Sequence, residues 1–455
     1  MPSVESLTFL DSRGDKRRVD FIADSLIEKA GGFPITVVTG HNGSHKSTML
    51  RELVAALTLH DADSTVTIVG NAKGPHRVLC TSGSVADRFP SKDLAGGGRS
   101  RFDVPNYAYI GQRAGPNILS KKAPLETMLG FALDSANANR FKSDFFMRAH
   151  KFAGVKSRVE FIFQRRQKKA KDVPDLLGRV QNISNDTPKQ PSKAKRADEL
   201  PVSFATAQWL LEEFEYDDFT TLETAILKGG KRLTATLSSD GVECNDFSAS
   251  ALRLGLHLGL IGLLDAQVTP VDGNRAFSLF DLSSGEYHMY TSILGLGFGM
   301  TSSTLVLIDE PENSLHPQWQ REYMATVIKI CGETLVDGHL VVCTHSPLIV
   351  ATATQDSTIV DLTLPDAQVN VASYGASADE LLLSQFGVGS SRNHMVVAAI
   401  QRAVSLVERG EFDDSKSKEM EPEIRRILDT LTPDDPLIPV LIALLPDEVE
   451  DEPRI

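Results

Sequence analysis

Residues 40–48 combine glycines, a lysine and hydroxyl side chains at a spacing that suits the binding of phosphate groups. Their sequence, GHNGSHKST, follows the pattern G-x-x-x-x-G-K-[ST] except at the glycine before the lysine. Glycines let backbone N–H groups curl around phosphate oxygens, and a helix that follows points its positive end at them. Lys46 would reach the β- and γ-phosphates of a nucleotide, and the Ser47 hydroxyl would ligate Mg²⁺. The candidate nucleotide-binding residues are Gly40, Asn42, Gly43, Ser44, His45, Lys46, Ser47 and Thr48.

His45 occupies the position where the pattern has a glycine. A Cβ atom there would clash or impose backbone strain of about 1–3 kcal/mol. An imidazole beside phosphate would instead add a hydrogen-bond donor. Taken alone, the segment is also compatible with an ordinary turn between a strand and a helix.

Residues 305–310 form an apolar run that ends in two carboxylates, with the sequence LVLIDE. A carboxylate at the carboxyl end of a strand is well placed to hold the ligand shell of Mg²⁺, which is the role expected of Asp309. Glu310 is then the candidate general base that orients or activates an attacking water. The alternative for this segment alone is a strand that meets an acidic turn.

Three further segments carry polar groups that could contact the same phosphates or the metal ion. His345 follows the apolar run 340–344 and could sense the γ-phosphate, although a histidine in a turn is more often a surface residue. The segment LSSGE at 282–286 offers hydroxyl and N–H groups to an anion, but Ser-Ser-Gly is common in loops. Gln112 ends the run YIGQ and could touch the metal ion or water, or be a generic polar loop residue.

Buried strands separated by helices must position these residues. Apolar, β-branched runs predict strands at 33–39, 65–69, 305–308 and 340–344. Apolar residues at spacings of three and four predict a helix over 47–57. Strands that alternate with helices favour a mostly parallel, buried sheet.

The other segments are predicted from composition and spacing alone. Helices are expected over 19–29, 123–170, 204–230, 246–265 and after residue 385, with a loop at 70–105 and a linker or disordered loop at 181–200. Residues 291–308 are long enough to span a membrane, but they contain several Ser, Thr and Gly residues and run directly into Asp309. We therefore expect a buried helix and strand there, and no contact with a membrane.

Charge is unevenly distributed along the 455 residues. The net charge is −13, yet residues 140–197 hold 16 Lys/Arg and 5 Asp/Glu, a net of +11. Such a segment could contact DNA, RNA or an acidic partner, or could equally be a solvated insertion. Four scattered cysteines favour neither a disulfide framework nor a zinc site, and the N-terminal residues lack the apolar stretch of a secretory signal. We expect a reducing, cytoplasmic setting.

Taken in order, these five segments resemble the conserved motifs of ABC ATPases. GHNGSHKST resembles Walker A, Gln112 the Q-loop glutamine, LSSGE the signature motif, LVLIDE Walker B with its catalytic glutamate, and His345 the switch histidine. The resemblance covers roughly residues 1–115 and 275–360. It implies that ATP and Mg²⁺ are the cofactors, with Ser47, Gln112 and Asp309 around the metal ion. The departure from the pattern at His45 would then affect the rate of ATP hydrolysis, and not necessarily the binding of the nucleotide.

In that family the signature of one subunit caps the ATP held by another, so the resemblance implies a homodimer or a higher homo-oligomer. Ser283 and Gly285 would face a partner chain's γ-phosphate, and Asn313 and Ser314 would form the D-loop at the same interface. The signature residues that would contact nucleotide are Ser283, Ser284, Gly285 and Glu286.

The segments DEPENSLHPQWQ and THSP are similar to those of OLD and SMC-like ATPases, and most resemble the PtuA-type ATPases of Septu and retron anti-phage systems. The segment SADELLLSQFGVGSSRNHMV at 377–396 adds to that resemblance. It implies a separate HNH-type nuclease as partner, and possible contact with a reverse transcriptase or retron nucleic acid. The chain itself lacks the carboxylate pattern of a TOPRIM nuclease after His345, so we expect a slow ATPase that is not itself a nuclease.

The predicted fold is α/β: an ABC-type P-loop nucleotide-binding domain with a mostly parallel core sheet, plus a helical, signature-bearing subdomain with a basic insertion. The predicted parts are the first half of the core, a helical subdomain, the second half of the core and a helical region with an acidic tail, at 1–115, 116–275, 276–385 and 386–455. Two other functions remain open: a DNA-repair ATPase of the SMC or RecF type, and an ATP-binding scaffold with little turnover.

Overall fold

The computed structural model describes most of the chain up to residue 372 and scattered positions beyond it. The described residues are 3–27, 33–59, 65–69, 75–92, 100–115, 117–166, 175–185, 200–227, 232–245, 247–353, 357–363, 367–372 and single positions or short runs between 401 and 445. The segment 377–396 and the acidic tail lie outside them, as do most of the predicted linker at 181–200 and part of the basic segment at 140–197.

The chain divides into two compact units, Met1–Ala376 and Ser377–Ile455. The described residues of the second unit include one helix, α12, at Ile438–Ala443. The domain boundaries predicted at residues 115, 275 and 385 remain predictions.

The strands of the described residues all belong to the first unit. They are β1 (Ser3–Leu10), β2 (Lys16–Asp20), β3 (Ile35–Thr39), β4 (Thr65–Val69), β5 (Arg77–Ser82), β6 (Tyr107–Ile110), β7 (Arg113–Gly115), β8 (Ile118–Leu119), β9 (Val155–Arg165), β10 (Leu233–Ser238), β11 (Gly241–Cys244), β12 (Ile261–Pro270), β13 (Phe277–Ser278), β14 (Thr304–Asp309), β15 (His339–Cys343), β16 (Thr358–Asp361) and β17 (Gln368–Val371).

The helices of the first unit alternate with these strands. They are α1 (Asp24–Ile27), α2 (Lys46–Thr58), α3 (Ala123–Ala132), α4 (Asp144–Phe152), α5 (Leu176–Asn185), α6 (Phe204–Glu213), α7 (Tyr216–Leu227), α8 (Ala249–His257), α9 (Ser284–Gly299), α10 (Pro317–Thr334) and α11 (Pro347–Val350). Short 3-10 helices lie at Ser135–Lys142 and Leu279–Asp281.

A seven-stranded sheet forms the core, in the order β17-β16-β3-β15-β14-β5-β6. All neighbouring strands in it are parallel except β17, which is antiparallel to β16. Every side chain of β3, β14 and β15 is buried, which explains why these strands appear in the sequence as continuous apolar runs. The carboxyl ends of these three neighbouring strands, and the residues that follow them, lie at one edge of the sheet.

Helix α2 packs between the core sheet and a smaller antiparallel sheet of order β2-β1-β4. Its residues Leu50 and Leu53 share a buried apolar cluster with Leu7 of β1 and Leu307 of β14. Burial of the helix against both sheets fixes its first turn beside the carboxyl ends of β3 and β14.

Helix α9 packs against α3, α4 and α10, as well as against β5 and β6. Close approach is possible because α9 carries small residues: a Cβ at Gly297 would lie 2.2 Å from the ring of Phe145. Helix α9 therefore connects the core sheet to the segment between residues 117 and 278. That segment contains a five-stranded antiparallel sheet, β11-β10-β9-β12-β13, together with α3 to α8. The subdomain predicted to be helical is therefore a mixture of helices and sheet, because β9 to β13 pair with one another there.

The predicted α/β fold with a mostly parallel core sheet is confirmed, including the strands at 33–39, 65–69, 305–308 and 340–344 and the helix over 47–57. The expectation for 291–308 is also confirmed, because this range contains the end of α9 and most of β14. None of the helices in the described residues is both long and apolar enough to cross a bilayer.

Four predictions of secondary structure were wrong. The helix expected over 19–29 is limited, among the described residues, to α1 at Asp24–Ile27, because residues 19 and 20 end β2, which pairs with β1. Residues 155–165, expected to be helical, form β9, in which apolar residues alternate with exposed charged ones and which pairs with β10 and β12 on its two sides. Residues 261–265 were assigned to a helix but begin β12, because Gly259 has a φ of +67° and ends α8. Residues 77–82, expected in a loop, form β5 in the core sheet.

Candidate nucleotide site

The loop between β3 and α2 has the conformation that its glycines allow. Gly40 and Gly43 have φ values of +140° and +84°, which L side chains rarely adopt. At Gly40 a Cβ would also lie 2.7 Å from the Ser44 hydroxyl. The Lys46 amine folds back over this loop and donates hydrogen bonds to the carbonyls of Gly40 at 2.9 Å and His41 at 3.3 Å. The loop is therefore closed around a buried lysine, whose pKa is lowered by that burial.

His45 adopts a left-handed backbone conformation, with φ +71° and ψ +19°. Histidine is among the few residue types other than glycine that are enriched there, so the expected strain is present but small, about 1–2 kcal/mol. The ring packs against the turn between β1 and β2, with Nε2 3.5 Å from the Asp11 carboxylate and Nδ1 3.4 Å from the Ser12 hydroxyl. Burial raises the pKa of Asp11, but hydrogen bonds from Arg17 and two backbone N–H groups lower it to about 2, so this carboxylate is ionised beside the ring.

Asp309 ends β14 with a side chain that fits a divalent cation. It is 1% exposed, and its Oδ1 atom has no hydrogen-bond partner among the described residues. Burial raises its pKa to about 7, and a hydrogen bond with the Ser47 side chain opposes that increase. A buried, unpartnered carboxylate oxygen beside a serine hydroxyl suits Mg²⁺, which prefers oxygen ligands and would keep Asp309 ionised.

Glu310 lies at the turn that follows β14, with a φ of +47°. Its backbone N–H donates to the Cys343 carbonyl at 2.8 Å, which ties the turn to the end of β15. The Asn313 amide donates to Oε2 of its carboxylate at 2.7 Å, while the side chain as a whole is 27% exposed. The carboxylate is therefore held at one oxygen and accessible from the cavity.

His345 comes within reach of Glu310, with 3.8 Å between its Nε2 atom and Oε1 of the carboxylate. Burial lowers the pKa of His345 and the charge of Lys46 lowers it further, so the ring is neutral at neutral pH. Its backbone N–H donates to the Glu312 carboxylate. Glu312, whose pKa is raised by burial, thus fixes the turn that carries His345. Sequence reasoning assigned no role to Glu312, since its partner is 33 residues away along the chain.

A cavity of about 470 Å³ opens between these turns. Its lining residues are His41, Asn42, Glu310, Glu312, Asn313 and His345. Residues from three of the predicted motifs therefore surround one space at the carboxyl edge of the sheet, beside Lys46 and Asp309.

Gln112 and the signature segment are not among the residues that line this cavity. Gln112 follows β6 at the end of the core sheet and is partly buried. Ser283 caps the N-terminus of α9: its hydroxyl accepts from the Glu286 N–H, and the Glu286 carboxylate accepts from the Ser283 N–H. The side chains of Ser283 and Ser284 are exposed, as an interface role requires.

Gly285 packs against the predicted D-loop of its own chain. A Cβ at this position would lie 2.5 Å from the Ser314 carbonyl oxygen and 3.4 Å from the Trp319 ring. Ser314 itself has a φ of +69°. The N-terminus of α9 and the turn at Ser314 therefore touch directly, a contact that the sequence does not indicate.

A protein-family model described as "AAA domain, putative AbiEii toxin, Type IV TA system" matches residues 247–351. The retron Vc95 probable ATPase of Vibrio cholerae serotype O1 biovar El Tor is 26% identical over 182 residues. That alignment covers 35% of this chain and 34% of the relative, so the chain is matched to about a third of that protein's length. These matches support the resemblance to ABC-class ATPases of the OLD and SMC-like group.

Solved structures that resemble the chain include an Smc head domain of Pyrococcus furiosus and UvrA2 of Deinococcus radiodurans. The Smc head domain has a TM-score of 0.31 and 10% identity, with 82% of this chain and 97% of that chain covered. UvrA2 has a TM-score of 0.28 and 15% identity, with 79% and 35% covered. These TM-scores are too low to support an argument about function.

Proposed function

Starting from a chain with the ABC-type P-loop fold and a resemblance to OLD and SMC-like ATPases, we propose that it binds and slowly hydrolyses ATP with Mg²⁺. We further propose that two copies associate through their nucleotide sites, and that this state controls a separate HNH-type nuclease in anti-phage defence.

One observation carries the proposal: Lys46, Asp309, Glu310 and His345 meet at one edge of the sheet although they are spread over 300 residues of sequence. The core strand order places β15 between β3 and β14, so the turns after all three strands are neighbours. Open α/β sheets bind ligands at this edge. The unpartnered Oδ1 atom of Asp309 lies in the same place, where a metal ion would satisfy it.

Each side chain is suited to one part of phosphoryl transfer to water. Lys46 would exchange its bonds to the Gly40 and His41 carbonyls for bonds to phosphate oxygens. Ser47 and Asp309 would hold Mg²⁺, which neutralises charge on the phosphates when bound. Glu310 would orient the attacking water and accept its proton, with Asn313 holding the other oxygen of the carboxylate in place.

The position of the signature segment, outside the cavity of its own chain, supports the proposed association of two copies. Ser283 and Ser284 are exposed at the N-terminus of α9, where Ser283 bonds Glu286, and neither lines the cavity of its own chain. Helix N-termini bind anions, so a second copy could offer this end to the γ-phosphate, with the Ser283 hydroxyl exchanging its bond to Glu286 for one to phosphate. ATP would then favour the associated state to the extent that it binds this state more tightly.

The nuclease and the defence role rest on the relatives rather than on the site. The retron Vc95 probable ATPase is similar to this chain, and the segments DEPENSLHPQWQ and THSP match the same group. A DNA-repair ATPase would carry the same nucleotide site, so a separate observation must distinguish the two. Co-expression with an HNH nuclease should yield an ATP-dependent complex, whereas salt-sensitive DNA binding by the chain alone would favour repair.

The Lys46→Ala variant tests the nucleotide site itself. The loop would lose its buried cation, so we expect the loss of measurable binding of ATP by isothermal titration calorimetry. Lys151→Ala, at an exposed lysine of α4, is the matched control and should bind ATP like the unmodified protein. Unchanged ATP affinity in Lys46→Ala would show that these residues do not form the nucleotide site.

A further inference from the structure

The segment that follows β5 touches three parts of the proposed nucleotide site. We call residues 83–91 the post-β5 loop. Its Gly83 N–H donates to the Asp309 carbonyl at 3.0 Å, and a Cβ at Gly83 would lie 2.3 Å from the Glu310 carbonyl oxygen. Further along, the Arg88 guanidinium donates to the Thr48 hydroxyl at 2.9 Å. The loop therefore contacts both the first turn of α2 and the end of β14.

The third contact of the post-β5 loop is made by Asp87, a carboxylate that is 4% exposed. Its Oδ2 atom accepts a hydrogen bond from the Tyr109 hydroxyl at 2.5 Å. Its Oδ1 atom accepts from the Phe89 N–H at 2.9 Å and from the Arg113 guanidinium at 3.3 Å. Side chains of β6 and β7 thus converge on one carboxylate of a different loop.

Tyr109 and Arg113 enclose Gln112 along the chain. Between them, Gly111 is pressed against the Tyr109 ring so closely that a Cβ would lie 2.0 Å from the phenol oxygen. Asp87 thus bonds a residue on each side of Gln112, and the Gln112 carbonyl itself accepts a hydrogen bond from the Ser120 N–H at 2.7 Å. The contacts of Asp87 are therefore among those that restrain the turn that carries Gln112.

Hydrogen bonding within the Asp87 cluster is complete at Asp87 and incomplete at Arg113. Arg113 leaves its buried Nε atom without a hydrogen-bond partner among the described residues, and its contact with Asp87 is long. Burying a carboxylate and a guanidinium with incomplete pairing costs free energy that an apolar cluster would not. Burial raises the pKa of Asp87, which is consistent with that cost. A buried polar cluster of this kind fits a role in holding one geometry.

We propose that Asp87 is a positioning residue for Gln112, acting through Tyr109 and Arg113, and that the post-β5 loop couples the Gln112 turn to α2 and β14. The inference rests on the proposed function and adds to it that Gln112 contacts Mg²⁺ or the attacking water, the role that the resemblance of the Gln112 segment to the Q-loop implies. Loss of the cluster would then weaken the response of ATP turnover to Mg²⁺ more than it weakens the affinity for the nucleotide itself.

The chain offers a matched pair of buried tyrosines to test this inference. The Tyr107 and Tyr109 hydroxyls both donate to the post-β5 loop, but Tyr107 bonds the Pro90 carbonyl at 2.7 Å and not Asp87. Tyr109→Phe and Tyr107→Phe therefore each remove one buried hydroxyl from one strand. Full-length variants, with Asp87→Asn as a second disruption, would be compared for Mg²⁺ dependence of ATP turnover, Mg²⁺-dependent ATP affinity and thermal stability.

Tyr109→Phe should raise the half-saturating Mg²⁺ concentration and lower kcat. The ratio of kcat to that concentration should fall about 10-fold, as expected for loss of a group that orients a metal-site residue. Tyr107→Phe should lower the melting temperature by about as much as Tyr109→Phe does, but it should leave the Mg²⁺ dependence of ATP turnover unchanged. In a Gln112→Ala background, Tyr109→Phe should have no further effect on either quantity.

Equal effects of Tyr109→Phe with and without Gln112, or equal effects of the two tyrosine variants, would overturn the assignment and leave the proposed function standing. Absence of Mg²⁺-dependent ATP binding in the unmodified protein would instead contradict the proposed function, and the assignment with it. Should Asp87→Asn fail to fold, the tyrosine pair still decides between these outcomes.

Discussion

His45 lies in the proposed phosphate loop at the position where the sequence pattern has a glycine. The position requires a left-handed backbone, and His45 adopts it with φ +71°. Its ring lies 3.5 Å from the ionised Asp11 carboxylate, a contact that a glycine could not make. The sequence predicts that this position is unusual, but not that the ring turns away from the loop towards the turn between β1 and β2.

Substitutions at position 45 separate the backbone requirement from the side-chain contact. His45→Gly removes the left-handed strain together with the ring, whereas His45→Ala removes the ring and keeps a Cβ in that conformation. We therefore expect His45→Ala to be less stable than His45→Gly by about 1 kcal/mol in urea unfolding. Equal stability of the two variants would show that the backbone at this position relaxes.

Among the elements, the sequence predicts the strands that are uninterrupted apolar runs, and it misses β9, where apolar and polar residues alternate, and β5, which lies in a range predicted to be a loop. Strands β3, β14 and β15 are continuous apolar runs, so their period and bounds follow from the residues themselves. Strand β9 contains Lys156, Arg158 and Glu160, which favour helix locally, and pairing with β10 and β12 overrides that preference.

Some residues of the candidate site can also be predicted from the sequence, whereas others cannot. Lys46, Asp309 and His345 are predictable because each follows or ends a recognisable strand. The partners that hold them are not, since Glu312 and His345 or Asp87 and Tyr109 meet only through the fold. Side-chain contacts between distant segments leave no periodic signal in the sequence.

The contact between α9 and the turn at Ser314 can be tested at Gly285. A Cβ there would lie 2.5 Å from a backbone oxygen, so Gly285→Ala must displace the turn, and we expect a loss of about 1–3 kcal/mol in stability. Gly332→Ala, at a glycine of α10 whose nearest neighbouring atom would be 3.9 Å away, is the matched control. The Gly332→Ala variant should be more stable than the unmodified protein by about 0.5–1 kcal/mol, with both variants measured by thermal unfolding. Similar behaviour of both variants would contradict this contact.

For the molecule as a whole, positive charge is concentrated in one segment of the sequence. Residues 140–197 have a net charge of +11 within a chain of net charge −13. Long-range attraction to nucleic acid or to an acidic protein would act on that segment, of which Lys156 and Arg158 are exposed in β9. The residues of the proposed nucleotide site lie outside this segment, so the proposed assembly through ATP and any contact through the basic segment can be tested by separate mutations.

Glu310→Gln tests assembly through ATP. The variant keeps the side-chain shape but cannot accept a proton, so bound ATP should persist and the dimer should accumulate. We expect light scattering after size-exclusion chromatography to show about twice the subunit mass with ATP and Mg²⁺. The double variant Lys46→Ala/Glu310→Gln should remain at the lower mass. A mass that is the same with and without ATP would exclude nucleotide-driven association, and normal turnover by Glu310→Gln would exclude its role as base.

Strand β15 is hydrogen-bonded to β3 on one side and to β14 on the other. Sliding it along either neighbour would break two ladders at once, and a shift by one residue would move each side chain to the opposite face of a strand that is buried on both faces. The sheet is therefore a rigid support for the turn that carries His345. In the proposed site, a response of His345 to loss of the γ-phosphate would involve its ring and the short helix α11, which begins two residues later, rather than shear between strands.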